Sequence, residues 1–247
     1  MNVPCDPADL VERFSMAGSM KNMGIIGGTF DPVHNGHLHL AEHAQKVFNL
    51  EKVVFVPAYR SPHKLTFEPV SCEHRLAMLT LALENHRNFS LDGIEINKNA
   101  ISYTIETLSN LQSNHPEWNM FLILGADTFQ VVDTWKQCSE LLNFCNILVG
   151  TRPGADLQVS ESVKGKLALN DPATNYRSAG FATDVKFFKN REKENGVYFF
   201  QMSPLDISSQ GIRQRIHRGE EIKNLLPPSV DHYIMQNRLY RDDSPSN

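Results

Sequence analysis

The chain has 247 residues, 41% of them hydrophobic and 21% charged, with a formal net charge of −4 at neutral pH. These are the proportions of a globular protein long enough to bury a real core, and no apolar run approaches the roughly 18 residues a membrane helix needs. The acidic balance argues against a nucleic-acid binder, which would carry a basic patch or stripe. It does not argue against anionic mononucleotides, which need only a few local cations.

In chain order, residues 1–22 lack an uninterrupted apolar core and contain Asp6, Asp9 and Glu12, so no secretory signal is expected. They read as an N-terminal extension, with Met20 and Met23 as rival starts. Strands are predicted at 23–26, 52–57, 89–94, 119–124, 146–150 and 197–202, and helices at 37–48, 72–84, 104–113 and 129–142. This alternation predicts an α/β domain over 23–247, with a doubly wound, mostly parallel sheet that has helices on both faces and binds ligands at the carboxyl ends of its strands. Residues 155–195 have weaker periodicity and mixed charge, and read as a variable insertion on the surface. A helical segment begins at about 209. Cys5, Cys72, Cys138 and Cys145 show neither metal spacing nor a disulfide framework, which suits the cytoplasm.

The most informative stretch runs from Gly24 to Leu38. A short apolar strand enters the turn Gly27-Gly28-Thr29-Phe30-Asp31-Pro32, and His34 and His37 follow where a helix begins. Gly27 and Gly28 leave no Cβ between main chain and ligand, and Gly36 removes bulk between the histidines. Unpaired amides and the dipole of a helix N-terminus favour an anion there, and two imidazoles add donors. The stretch is neither the dinucleotide fingerprint nor a Walker loop. His39 and His43, one helical turn apart, lack the acidic partner of a metalloprotease helix and read as a solvated face.

The run G-G-T-F-D-P-V-H-N-G-H resembles the signature of the "HIGH"-type nucleotidyltransferase superfamily, and Ile207-Ser208-Ser209-Gln210-Gly211-Ile212-Arg213 resembles that superfamily's I-S-S-T-x-I-R. Ser61-Pro62-His63-Lys64, Ser102-Tyr103-Thr104, Leu124-Gly125-Ala126-Asp127-Thr128, Trp135, Arg152-Pro153-Gly154 and the ending Leu226-Pro227 to Tyr240 are similar to the bacterial nicotinate-nucleotide adenylyltransferases within it. The resemblance spans about 23–240 and implies a Rossmann-like fold.

It further implies adenylyl transfer from ATP to nicotinate mononucleotide, with Mg²⁺ arriving on ATP and no metal ligands from the protein. His34, His37, Lys64 and Arg213 would be the catalytic residues. Gly27, Gly28, Thr29, Phe30, Gly125, Asp127, Ile207, Ser208 and Ser209 would bind ATP, and Asp31, Tyr103, Thr104, Trp135 and Arg152 the mononucleotide. Three departures stand out: Ser61 for a proline, Gln210 for threonine, and Lys136 where many relatives have tyrosine. The alternatives are another adenylyl- or cytidylyltransferase of the superfamily, acting on phosphopantetheine or a polyol phosphate, and a catalytically silent nucleotide-binding regulator. Neither nucleic acid nor membrane is an expected partner, and oligomeric state is not legible.

Overall fold

A computed structural model describes residues 21–62, 68–151, 159–170, 173–176, 185–203 and 205–241. The chain forms two compact units, one from Met1–Ile26, Leu40–Val54 and Tyr103–Pro204, the other from Gly27–His39, Phe55–Ser102 and Leu205–Asn247. Among the described residues, the strands of the first unit hydrogen-bond in the order β2 (Lys52–Pro57), β1 (Lys21–Gly28), β4 (Trp118–Gly125), β5 (Asn146–Thr151), β8 (Gly196–Gln201), β7 (Val185–Lys189), β6 (Ala173–Tyr176), and in the second unit β3 (Phe89–Leu91) borders the end of β2.

The first unit holds β1 (Lys21–Gly28) to Ile26, β2 (Lys52–Pro57) to Val54, and β4 (Trp118–Gly125), β5 (Asn146–Thr151), β6 (Ala173–Tyr176), β7 (Val185–Lys189) and β8 (Gly196–Gln201). β1 pairs parallel with β4 from Lys21↔Trp118 to Ile25↔Leu122, β4 with β5, and β5 with β8. Parallel strands are covered on both faces and so read as continuous apolar runs. Accordingly, Met120–Leu124 and Ile147–Val149 are buried throughout. Phe48, near the end of α1 (Asn35–Phe48), packs edge-on against Tyr198 at 5.7 Å and Phe200 at 5.5 Å. Phe129 meets Phe199 at 5.2 Å.

The second unit contains the ends of β1 and β2 and strand β3 (Phe89–Leu91). Its helices are α2 (Cys72–Leu83), α3 (Ile94–Lys98), α8 (Ser209–His217) and α9 (Pro228–Gln236), together with the first turn of α1. Phe55 lies between Phe30 at 5.7 Å and Phe89 at 5.5 Å, which gives this unit an aromatic core.

The six expected strands and the helices at 37–48, 72–84 and 104–113 are present, the last as α4 (Thr104–Asn114). The Asp92 amide still donates to Phe55 O on β2, but the Asp92 carboxylate accepts from the Ile94 amide and turns the chain into α3, which ends strand β3 early.

The helix expected at 129–142 is not formed. That stretch is broken into the end of α5 (Ala126–Phe129), 3₁₀ turns at Val132–Thr134 and Cys138–Glu140, and the start of α6 (Leu141–Phe144). Trp135 is extended (φ −75°, ψ 147°) and Gln137 left-handed (φ 50°), so the i→i−4 ladder cannot continue. Phe129, Val132, Leu141 and Leu142 are buried all the same, which is what gave the stretch its helical periodicity.

Residues 155–195, expected at the surface, supply buried Val163, Leu167, Leu169, Val185, Phe187 and Phe188, a helix α7 (Glu161–Lys166) capped by Ser160, and strand β7 antiparallel to β8. Among the described residues no helix is long and apolar enough to cross a membrane.

At Gly196 on β8 an added Cβ would lie 2.7 Å from Phe188 O and closer still to the Phe187 ring. Gly196→Ala should therefore destabilise the fold by about 1–3 kcal/mol, as overpacking does, read as a lowered urea midpoint at unchanged m-value.

Candidate active site

The carboxyl end of β1 delivers Gly27 and Gly28 into the loop that holds the histidines. A Cβ added at Gly27 would meet no protein atom within 4 Å, whereas at Gly28 it would meet the Phe30 ring at 3.2 Å. Phe30 adopts a left-handed backbone (φ 50°), which turns its ring inward to an edge contact with His37 at 5.0 Å. The first turn of α1 is secured from outside: the Asn35 amide donates to Leu225 O at 2.9 Å and Asn35 Nδ2 to Asn224 O at 2.8 Å.

His34 and His37 stack with ring centroids 3.7 Å apart and planes inclined by 23°. The His34 amide donates to His37 Nδ1 at 3.2 Å, so that nitrogen is the acceptor and the neutral His37 ring carries its proton on Nε2. His34 is 6% exposed, and its Nδ1 is buried without a hydrogen-bond partner. Burial lowers its pKa to about 4, leaving a neutral imidazole at physiological pH. A Cβ on Gly36 would sit 3.0 Å from His34 Cε1 and Nδ1, so the His34 ring would have to give by a few tenths of an ångström to admit a side chain there.

The second sequence motif belongs to the same unit and meets the first. Ser208 is the N-cap of α8, its hydroxyl accepting from the Gly211 amide at 3.1 Å. Ser209 Oγ donates to Pro32 O at 2.9 Å, and Arg213 Nη1 donates to Asp31 O at 2.7 Å. A Cβ on Gly36 would lie 3.7 Å from Ile207 O. Two helix N-termini and a guanidinium are thereby gathered on one loop, and helix N-termini favour anions.

Asp31, assigned from sequence to the mononucleotide, is 2% exposed and turned inward. Its Oδ1 accepts from Tyr240 Oη at 2.7 Å, and Oδ2 is 3.7 Å from Arg213 Nη1.

Gly125, Asp127, Tyr103, Thr104 and Trp135 lie in the first unit. Asp127 is exposed in the first turn of α5, and Trp135 is half-buried rather than part of the core. Lys136 Nζ stands 4.2 Å from the centre of the Tyr103 ring and 2.8 Å from Glu106 Oε1. Lys64 and Arg152 fall outside the described residues.

One organising residue escaped the sequence reading. Arg75 is 1% exposed; its Nη1 donates to Thr29 O at 2.9 Å and Ala58 O at 2.7 Å. Nη2 reaches Tyr59 O at 3.3 Å and Cys72 Sγ at 3.1 Å, and Nε reaches Val70 O at 3.3 Å. Its sequence signal was available: Arg75 shares the buried stripe of α2 with Met78, Leu79, Ala82 and Leu83, and a cation at such a position must be satisfied inside the protein.

The family model described as cytidylyltransferase-like matches residues 25–215. A Clostridium botulinum (strain Okra / Type B1) protein named "Probable nicotinate-nucleotide adenylyltransferase" is 35% identical over 222 residues, covering 90% of this chain and 100% of that relative. A protein of the same name from Geobacter sp. (strain M21) is 35% identical over 225 residues, covering 89% and 98%. In fold, the chain resembles Plasmodium falciparum nicotinic acid mononucleotide adenylyltransferase, solved in complex with NaAD. The TM-score is 0.65 at 19% identity, over 89% of this chain and 97% of that one. The chain belongs to the nicotinate-nucleotide adenylyltransferases, a family of cytidylyltransferase-like nucleotidyltransferases.

The buried state of His34 has a measurable consequence. The unfolded chain takes up this proton near pH 6.5 and the folded chain only at about 4, so between those values the unfolded state binds more protons and stability falls as pH falls. The loss attributable to His34 should approach about 3 kcal/mol by pH 4. It is read as a flatter pH dependence of urea unfolding in His34→Asn, and as a His34 NMR titration that begins only below pH 5 or so.

Proposed function

We propose that the chain transfers the adenylyl group of ATP to the phosphate of nicotinate mononucleotide, forming nicotinate adenine dinucleotide and releasing pyrophosphate. Besides family membership, the observation that carries this reading is the stacked His34–His37 pair, 3.7 Å apart and joined through Asp31 and Pro32 to the start of α8. Such a constellation suits charge moving across phosphates and offers no acid–base dyad.

None is needed. The attacking phosphate oxygen of the mononucleotide is ionised at neutral pH; it forms the new bond to the α-phosphorus while the bond to the pyrophosphate oxygen breaks. Placement in line and stabilisation of the departing charge supply the acceleration. In this reading His34 and His37 act as neutral donors to the reacting phosphates, and Lys64 and Arg213 bind the β- and γ-phosphates. The main chain of Gly27 to Phe30 and of Ile207 to Ser209 lines the nucleotide. Gly125 and Asp127 serve the ribose, and Tyr103, Thr104, Trp135 and Arg152 the nicotinate mononucleotide.

Mg²⁺ brought with ATP would be held by the nucleotide rather than by this chain's side chains, and would supply charge neutralisation at the departing pyrophosphate. Among the described residues no group of three or more His, Cys, Asp or Glu could hold a metal ion of its own. Cys72, Cys138 and Cys145 are free thiols, as a reducing compartment keeps them, and we place the reaction in the cytoplasm.

The test is a panel with ATP or CTP and Mg²⁺ against nicotinate mononucleotide, its amide, phosphopantetheine and a polyol phosphate, following pyrophosphate and the dinucleotide. Turnover should be fastest with ATP and the acid mononucleotide. Nucleotide binding without pyrophosphate release across the panel would favour a regulator instead.

His37→Ala should lower kcat by about 10²-fold or more while nucleotide binding changes little, because an oriented donor is lost where charge develops. An unchanged kcat in the folded variant would remove His37 from the chemistry. Trp135→Ala should raise the KM for the mononucleotide by about tenfold and spare that for ATP, in steady-state kinetics with each substrate varied.

A further inference from the structure

Asp31 is held from two sides. Its Oδ1 accepts from the Tyr240 hydroxyl at 2.7 Å, while Arg213 Nη1 donates to its main-chain oxygen at 2.7 Å and lies 3.7 Å from Oδ2. The carboxylate is 2% exposed, and Oδ2 has no hydrogen-bond partner, so the cation beside it is what balances its charge. A carboxylate so enclosed and turned toward an arginine is poorly placed to touch an anionic substrate.

Tyr240 reaches this position by a reversal of the chain after α9. Arg238 (φ 53°) and Tyr240 (φ 64°) are left-handed, and buried Leu239 donates its amide to Ile234 O at 3.0 Å. Non-glycine residues hold that conformation only where surrounding contacts impose it. Burial, and then the neighbouring Asp31 charge and hydrogen bond, push the Tyr240 hydroxyl pKa above the usual phenol range despite nearby Arg213 and Arg75, so it remains an O–H donor.

We propose that Tyr240 and Asp31 are positioning residues for Arg213: the hydroxyl fixes the carboxylate, and the carboxylate with the Asp31 carbonyl sets the direction of the guanidinium before nucleotide binds. Arginine has a long, rotamer-rich stem and a planar fork, so anchoring one edge of it reduces the ordering required when a phosphate arrives. The inference rests on the reading of Arg213 as a phosphate ligand and removes Asp31 from the mononucleotide site.

A double-mutant cycle with Y240F and R213M in the full chain separates this from a structural role for Tyr240. Y240F should lower kcat/KM for ATP by about tenfold with Arg213 present and by less than about twofold in the R213M background. D31N, nearly isosteric, should lower kcat/KM for ATP while leaving the KM for the mononucleotide within about twofold of wild type.

Losses from Y240F that are equal in the two backgrounds would overturn the latch and leave the enzymatic reading intact. So would a D31N variant with a tenfold higher mononucleotide KM and unchanged kcat. Wild-type kcat/KM in R213M, with adenylyl transfer otherwise established, would overturn the role of Arg213 on which the latch rests. Should Y240F not fold, D31N against R213M runs the same cycle without touching Tyr240.

Discussion

The geometry of the candidate site depends on a buried positive charge that touches no substrate in the proposed mechanism. Arg75 binds the main-chain oxygens of Thr29, Ala58, Tyr59 and Val70 from one position on α2, joining the loop after β1 to the segment after β2. A buried guanidinium costs heavily in desolvation and is tolerated only when its donors are satisfied. Main-chain carbonyl oxygens meet that need here, which holds the guanidinium against the loop that carries Thr29. The same group thus fixes loop geometry and biases the field toward anions, an effect that a chain of net charge −4 needs locally.

Charge is used sparingly in the loop itself. His34 is neutral because burial makes its charged form unfavourable, and His37 accepts a main-chain hydrogen bond at Nδ1. Two imidazolium rings stacked at 3.7 Å would repel each other, and two neutral ones do not. Neutral donors can hydrogen-bond a phosphate in the ground state without trapping it, and they strengthen as charge builds. This division suits adenylyl transfer, in which both substrates and both products are polyanions that must leave again.

What the sequence revealed depended on how local each signal was. Buried parallel strands are short continuous apolar runs, so β1, β2, β4, β5 and β8 were legible. Strand β7 was not, because Lys186 and Lys189 interrupt it and its burial is evident only once it pairs with β8. The apolar spacing of 129–142 was real but served a broken turn rather than a helix, since burial does not require the ladder that Gln137 interrupts.

At the site, the histidines and the Ser208 cap were legible because their residues are contiguous and act on neighbouring backbone. Arg75 and Tyr240 were not, because they act across 46 and 209 residues on Thr29 and Asp31. Asp31 was read as a ligand contact from its place in the motif. Its neighbour in space, a tyrosine from the far end of the chain, turns it inward.

The bare Nδ1 of His34 adds a last constraint. A buried polar atom without a partner costs about 1–3 kcal/mol, a large share of a typical net stability of about 5–15 kcal/mol. The cost is lower for an unpaired acceptor than for an unpaired N–H, which folded proteins rarely leave orphaned. The neutral His34 ring is therefore favoured with its proton on Nε2, the tautomer that the main-chain hydrogen bond to Nδ1 imposes on His37. Both rings then carry their single donor on the same kind of atom, one by burial and the other by a hydrogen bond. Gly36 lets the rings sit this close, since a Cβ there would lie 3.0 Å from His34 Cε1 and Nδ1 and the ring would have to give by a few tenths of an ångström.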